Sequence, residues 1–107
     1  MTPYVQVVTT TENKEDANKI AKVLVERRLA ACVQLVGPIQ STFWWKDSIE
    51  TAQEWLCFMK TDKNLYGELE KAIKAIHPYE TPEIVAMPVV AGSDDYLAWL
   101  GSEVKKP

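Results

Sequence analysis

The chain is predicted to fold as an α+β sandwich of the ferredoxin-like type, and three features of the sequence indicate this. Segments rich in β-branched and aromatic residues alternate with segments of helical period, in the order β-α-β-β-α-β plus one short helix. A short polar turn, "KDS", joins the two central strands into an extended hairpin. The length of 107 residues suits one domain. We therefore expect a single ferredoxin-like domain over residues 1–107, with two helices on one face of an antiparallel sheet.

The first half of the chain predicts a strand, a helix and a second strand. "YVQVVTTT" (residues 4–11) is rich in β-branched residues and predicts the first strand. Apolar residues from Ala17 to Leu24 then recur at helical spacing, with acidic residues before them and two arginines after them, as the helix dipole favours. "AACVQLVGPIQSTFWW" predicts the second strand. Pro38 within it cannot donate to a ladder and indicates a bulge or an edge position.

The second half of the chain repeats this order. "IETAQEWLCFMKT" predicts a long third strand, and the following segment has apolar residues at helical spacing from Leu65 to Ile76. Asp62 is the expected N-cap of this helix, and Pro78 is expected to end it. "PEIVAMPVV" predicts a fourth strand. "SDDYLAWLGSEV" predicts a short terminal helix that Ser93 or the next residue opens.

The central hairpin is predicted to project from the domain. The strand from Ile49 to Thr61 would extend about 40 Å at about 3.3 Å per residue. A compact domain of this size has a radius of gyration of only about 13 Å. The projecting part carries Phe43, Trp44 and Trp45, whose exposure to water is unfavourable. We expect these three residues to lie in an interface with other copies of the chain.

The composition argues against several classes of partner. The chain has 12 Lys and Arg against 15 Asp and Glu, a net charge of −3, and no basic block, so we do not expect it to bind nucleic acid. No apolar run is long enough for a membrane span, and the N-terminus lacks a signal-peptide pattern. The expected location is therefore the cytoplasm, with no membrane partner. The two cysteines form no C-x-x-C motif, and buried thiols are favoured over one disulfide.

His77 is the only histidine and a candidate for chemistry. Imidazole titrates near neutrality, so this residue is a candidate metal ligand or proton carrier. It also stands where the helix is expected to end before Pro78, and a helix C-terminus favours its positive form. The sequence alone favours the structural role.

Other candidates carry weaker signals. Glu80 and Glu83 flank Pro82 and are candidate acid and base partners for His77, although solvated charge is usual where a loop enters a strand. No nucleophile elbow, glycine-rich phosphate loop or H-E-x-x-H motif is present, so we do not expect an enzyme. The aromatic residues are better explained by burial than by stacking on bases. The soft side chains suited to Cu(I) are those of Cys32, Cys57, Met59, Met87 and His77. They are distant in sequence, so a metal site would have to be assembled through space, and we expect it between subunits.

Four motifs in order resemble the CutA family, the divalent-cation tolerance proteins. They are "RRLAACVQLVGPIQSTFWW", "IETAQEWLCFMKT", "IHPYETPEIVAMPV" and "DYLAWL", within a resemblance that covers about residues 4–100. The resemblance implies a ferredoxin-like subunit in a homotrimer whose hairpins pack between neighbours. It also implies an association with tolerance to copper and other divalent cations, and no assigned catalytic activity. The family shares its architecture with the PII signalling proteins, which are trimers that sense small molecules.

The family's metal ligands are only partly matched. Some bacterial members place copper ligands at a cysteine ending the first strand and at paired histidines before the H-P-Y proline. The matching positions here are Thr9, Ile76 and His77, so only the last is retained. Cys32 matches the cysteine of the A-A-C motif and is a second candidate ligand. Lys46 lies in "WKDS", where an acidic W-E-G-K turn is common in the family.

Residues and resemblance together predict a cytoplasmic homotrimer that binds copper or another divalent cation weakly, or senses a ligand between subunits. The predicted metal ligands are His77 and Cys32. Tyr79, Glu80 and Glu83 are expected at the rim of an intersubunit pocket. The alternative is a PII-like small-molecule sensor or assembly scaffold with no physiological metal, in which His77 is structural. A minor third hypothesis is an acid–base enzyme that uses His77 with one of the two glutamates.

Overall fold

The fold is an antiparallel sheet with helices packed on it. A computed structural model describes residues 1–106 of the chain. The four strands form one sheet in the order β2-β3-β1-β4, with every neighbouring pair antiparallel. The elements are β1 (Tyr4–Thr11), α1 (Lys14–Glu26), β2 (Cys32–Trp45), β3 (Ser48–Asp62), α2 (Tyr66–Ile76), β4 (Val85–Pro88) and α3 (Asp94–Glu103). This order and topology confirm the predicted ferredoxin-like sandwich with an added C-terminal helix.

The main core lies between the sheet and the first two helices. Successive strand residues point to opposite faces, and the odd-numbered residues of β1 and β3 face α1 and α2. The long runs of helical spacing in α1 and α2 place their apolar stripes against that face, as the sequence predicts. Fully buried side chains in this core include Val7, Ile20, Leu24, Met59, Leu69 and Ile73.

The two principal helices begin differently, α1 at a polar cap and α2 after a capped 3-10 turn. The Asn13 side chain accepts a hydrogen bond from the Asp16 N–H at 2.9 Å and caps α1. Asp62 was expected to cap α2 directly, but its carboxylate accepts from the Asn64 N–H at 2.7 Å and starts a 3-10 turn over Lys63–Leu65. Asp62 is also the last residue of β3, so the chain reverses in this tighter turn before α2 begins.

The hairpin of β2 and β3 is the longest feature of the molecule. The chain extends 44 Å along one axis and 25 and 22 Å along the others, in agreement with the predicted projection. Lys46 and Asp47 form the turn with φ of 49° and 67°, the left-handed pair that a two-residue hairpin requires. The register shifts between Val36 and Ile39, which confirms the irregularity predicted at Pro38 on an edge strand.

The fourth strand is shorter than predicted. Residues 82–90 were expected to form it, whereas only Val85–Pro88 pair with β1, opposite Val5–Val8. Beyond Pro88, which has no N–H, the Val89 N–H still donates to the Tyr4 carbonyl oxygen at 3.0 Å, so the backbone contact with β1 continues one residue past the strand. The Ser93 hydroxyl accepts from the Tyr96 N–H at 3.2 Å and opens α3, one of the two predicted starts.

The helices between residues 1 and 106 are all too short or too polar to cross a bilayer.

Candidate functional site

A wide groove lies between the hairpin and residues 79–83, which follow α2. Its volume is about 1230 Å³. All three predicted rim residues, Tyr79, Glu80 and Glu83, line it. The hairpin aromatics that were assigned to an interface, Phe43, Trp44 and Trp45, line the opposite side. The structure therefore brings the predicted rim residues and the predicted interface residues to one groove of a single subunit.

The groove is strongly acidic. Its lining includes no lysine or arginine from the described part of the chain. The ion pairs within residues 1–106 are Arg28–Glu103 and Lys105–Glu68, and neither involves the groove. The negative charge is therefore not neutralised by neighbouring cations, which favours a positively charged ligand. The five carboxylates that line the groove belong to Glu12, Glu50, Glu54, Glu80 and Glu83.

Glu54 and Tyr79 form a buried polar contact at the inner end of the groove. The Tyr79 hydroxyl donates to Glu54 Oε2 at 2.7 Å, and Glu54 is only 6% exposed. Burial raises the pKa of Tyr79 well above its ordinary value, and the Glu54 carboxylate adds to this through its hydrogen bond and its charge. The phenol therefore stays protonated and remains a hydrogen-bond donor.

His77 is held by hydrogen bonds through both ring nitrogens. Nδ1 accepts from the Tyr79 N–H at 3.1 Å, so the proton lies on Nε2, which donates to the Thr10 carbonyl oxygen at 2.8 Å. The ring is 9% exposed. Burial lowers the pKa of His77, and this neutral imidazole joins the end of β1 to the chain after α2.

Cys32 lies far from His77 within one subunit. It is paired with Lys60, and Lys60 is paired with Gln6, whereas His77 contacts Thr10 four residues further along β1. The two ligand candidates are therefore separated by about 13 Å along the strands and about 10 Å across them. The sequence did not indicate this separation, because it is set by the register of three strands.

The other metal-ligand candidates belong to the core or to separate strands. Thr9, at the family's cysteine position, is fully buried on the helix-covered face. Cys57 is buried on the same face, where desolvation raises its pKa to about 11, and Cys32 points to the other face. Both cysteines are free thiols, as the sequence favours. Between residues 1 and 106 no three His, Cys, Asp or Glu side chains are arranged to hold a metal ion.

Sequence reasoning missed three carboxylates of the groove, those of Glu12, Glu50 and Glu54. Glu54 directly precedes the apolar end of β3, and Glu12 follows β1 directly. An acidic residue at the start of an apolar strand segment is prone to burial, and a buried carboxylate needs a partner. That feature of "EWLCF" was the available signal for Glu54. Its partner, Tyr79, lies 25 residues away and could not be inferred from spacing.

Comparison with known proteins places the chain in a family. Residues 5–103 match the family described as CutA1 divalent ion tolerance protein. The divalent-cation tolerance protein CutA of Thermus thermophilus is 44% identical over 94 residues, which are 88% of this chain and 91% of that protein. The chloroplastic protein CutA 1 of Oryza sativa is 36% identical over 104 residues, or 97% of this chain, but the chain spans only 59% of that protein's length.

A solved structure agrees with these sequence matches. The periplasmic divalent cation tolerance protein CutA from Archaeoglobus fulgidus superimposes with a TM-score of 0.92 at 38% identity. The match covers 95% of this chain and 99% of that one, so it includes the hairpin and all four strands. Sequence and fold lead to one conclusion: the chain belongs to the CutA1 family of divalent ion tolerance proteins.

Proposed function

We propose that the protein is a cytoplasmic homotrimer that contributes to divalent-cation tolerance by binding a cation or another ligand weakly in the clefts between its subunits. The observation that carries this proposal is the acidic groove beside the hairpin, whose five carboxylates have no cationic partner in residues 1–106. The names of the relatives, which refer to tolerance of divalent cations, agree with it. The proposed role is binding and not catalysis, because both nitrogens of the single histidine are already engaged.

Exposed apolar surface supports assembly into a trimer. At the hairpin, Trp44 is 71% exposed and Ile49, which is paired with it, is 62% exposed. Val36, Val85 and Met87 add apolar surface on the face of the sheet opposite α1 and α2. A soluble single subunit seldom leaves this much apolar surface in water, so other copies of the chain are the proposed cover.

The test of assembly is the molar mass in solution, measured by light scattering after size exclusion. We expect a trimer for the natural chain and dissociation on combining Trp44→Ser with Ile49→Ser. Val25→Ser is the matched control, because Val25 is also exposed and apolar but lies on α1 away from the hairpin. A monomeric natural chain, or equal dissociation in the control, would contradict the proposed trimer.

His77 and Cys32 are the proposed ligands of copper, in a weak site. For coordination through Nδ1, the ring must release the Tyr79 N–H, and leaving such a buried group unpaired costs about 1–3 kcal/mol. Cys32 can approach this site only from a neighbouring subunit, since the two residues lie far apart within one chain. Both features support weak rather than tight binding.

The test of the metal site is a copper titration of the reduced, metal-free protein beside His77→Ala and Cys32→Ser. We expect weak binding in the natural chain and weaker binding in each variant. If all three bind copper equally, His77 and Cys32 are not the ligands.

A PII-like small-molecule sensor or scaffold without a physiological metal is the second candidate function. The observation that favours it is the hydrogen bonding of both His77 nitrogens, which gives the ring a structural role. This alternative predicts that chelation leaves ligand binding in the groove unchanged. A ligand whose affinity disappears on chelation and returns with added metal would exclude it.

A further inference from the structure

We propose that the inner end of the groove binds a linear aliphatic polyamine, whose protonated amines pair with Glu54 and the other groove carboxylates. This inference rests on the proposed ligand-binding function and names the chemical class of its ligand. It differs from a metal site in the residues it needs and in the probe that tests it.

Glu54 provides the first argument, because half of its carboxylate lacks a partner. The side chain lines the groove and is only 6% exposed, and its one hydrogen bond to residues 1–106 is accepted by Oε2 from Tyr79. The remaining oxygen, Oε1, has no donor from that part of the chain and is open to the groove, since the buried side-chain atoms without a partner there are Thr9 Oγ1 and Thr61 Oγ1. A carboxylate with most of its surface buried is stabilised by further hydrogen bonds and by positive charge. An ammonium group supplies both.

The electrostatic surroundings of Tyr79 provide the second argument. The negative charges of Glu12, Asp16 and Glu54 all act to raise the pKa of this phenol, after the larger effect of burial. Negative potential therefore accumulates at the inner end of the groove. Lys14, the basic residue nearest in sequence to this cluster, is placed 5.3 Å from the ring of Trp55 instead.

The spacing of the carboxylates distinguishes a polyamine from a metal ion. Glu50 and Glu54 lie on the same face of β3, four residues apart, which separates their backbones by about 13 Å. A divalent cation needs several oxygens converging within about 2.0–2.6 Å. No such group of three is present between residues 1 and 106. Ammonium groups joined by methylene chains match carboxylates that are spread along a groove.

The aromatic side of the groove suits the same ligand. Phe43, which is paired with Glu50, and Trp45 on the same face of β2 offer apolar surface for the methylene segments and ring faces for the charged ends. Trp44 lies on the other face, in the proposed subunit contact. The chain itself shows this type of contact, since the Lys46 ammonium lies 5.5 Å from the centre of the Trp45 ring. An alkylammonium ion is therefore already accommodated at the edge of this surface.

The experiment is calorimetric titration of the full-length protein with spermidine at near-physiological ionic strength, with 1-aminobutane as the monoamine comparison. We expect saturable spermidine binding that is at least tenfold tighter than that of 1-aminobutane. Glu54→Gln, which keeps an oxygen to accept from Tyr79, should weaken spermidine binding at least tenfold. Glu50→Gln, at an exposed position on β3, should weaken it about threefold. Glu26→Gln removes the same charge from an exposed position on α1 and should change the affinity less than twofold.

Three results would overturn the polyamine site. Equal weakening by Glu26→Gln and Glu54→Gln would mean that spermidine responds only to net charge. No spermidine binding, together with copper binding that Glu54→Gln abolishes, would make the groove a metal site and leave the proposed function intact. If neither spermidine nor copper binds, both the polyamine site and the proposed cation binding are wrong.

Discussion

The body of the sandwich and its projecting hairpin use similar apolar residues with opposite outcomes. In the body, Leu24 and Ile73 are fully buried between the sheet and the helices. In the hairpin, Trp44 is 71% exposed and Ile49 is 62% exposed. The body therefore satisfies its apolar surface within one chain, whereas the hairpin does not. Apolar residues specify where burial is needed, but not whether the partner lies in the same chain.

The two regions also differ in their polar chemistry. In the body, the buried ring of His77 is hydrogen-bonded on both sides, to Thr10 and to Tyr79. The hydroxyls of Thr9 and Thr61 are buried there without a partner in residues 1–106. Beside the hairpin, the groove carboxylates are left without cationic partners in residues 1–106. Stability should therefore be most sensitive to changes in the body, and ligand binding to changes beside the hairpin.

The largest loss of stability is expected from Leu24→Ala in the body. Removing a fully buried leucine leaves a cavity between α1 and the sheet and should destabilise the fold by about 2–5 kcal/mol. Urea unfolding followed by circular dichroism measures this, at a fixed protein concentration. The neighbouring Val25→Ala is the control, since Val25 is 43% exposed, and should stay within about 0.5 kcal/mol of the natural chain. Equal losses of unfolding free energy in Leu24→Ala and Val25→Ala would contradict the expected difference between buried and exposed positions.

A smaller loss is expected at the bulge where the body meets the hairpin. A Cβ added at Gly37 would lie 2.6 Å from Cδ2 and Cε3 of Trp55, so Gly37→Ala forces the indole to move and should cost about 1–3 kcal/mol. Gly67→Ala in α2 is the matched control, because its Cβ would have nothing within 4 Å. It should stabilise the chain by roughly 0.5–1 kcal/mol through helix propensity. Thermal unfolding of both variants tests whether their stabilities change in opposite directions. A Gly37→Ala protein as stable as the natural chain would show that Trp55 can repack.

The pH dependence of stability should be smaller still, because one proton per chain is involved. Burial lowers the pKa of His77, opposed only in part by the hydrogen bond to Thr10 and by the nearby carboxylates Asp16 and Glu54. The unfolded state, with an imidazole pKa of about 6.5, therefore binds the proton first as the pH falls. His77 should contribute its full stability above about pH 6.5 and lose it as the pH falls through the lowered pKa.

The measurement for this prediction is urea unfolding at about pH 7.5 and about pH 5.5. Histidine is the side chain whose ordinary pKa lies between these values, and the chain has only one. The natural chain should be less stable at the lower pH, and His77→Gln should show a weaker dependence. The opposite sign would mean that the charged imidazole is favoured in the folded protein.

The smallest effect is expected on the surface of the body. Lys105 Nζ lies 2.8 Å from Glu68 Oε2, but both side chains are 43% exposed. Exposed ion pairs contribute little because water and salt screen them, so Lys105→Ala should cost less than about 1 kcal/mol. Chemical denaturation at low and high salt measures the difference. A larger loss that persists in high salt would show that the aliphatic part of the side chain, and not its charge, holds the C-terminal segment.

Much of the fold could be predicted from the sequence, because its determinants are local. The helical spacing from Ala17 to Leu24 and the proline at position 38 each act through neighbouring residues. Boundaries were less accurate where two elements compete for the same residue. Asp62 ends β3 and also starts a 3-10 turn, and β4 is limited by its pairing with β1 rather than by its own composition.

The sequence by itself determined which side chains are available for function: one histidine, an aromatic hairpin and a surplus of carboxylates. Only the tertiary structure decided how they are used. Strand register separates Cys32 from His77. The Thr10 carbonyl oxygen at the end of β1 accepts the hydrogen bond of the histidine ring. The contact of Tyr79 with Glu54 joins residues 25 positions apart and creates the inner end of the groove. Such contacts depend on distances through space, and no local pattern in the chain encodes them.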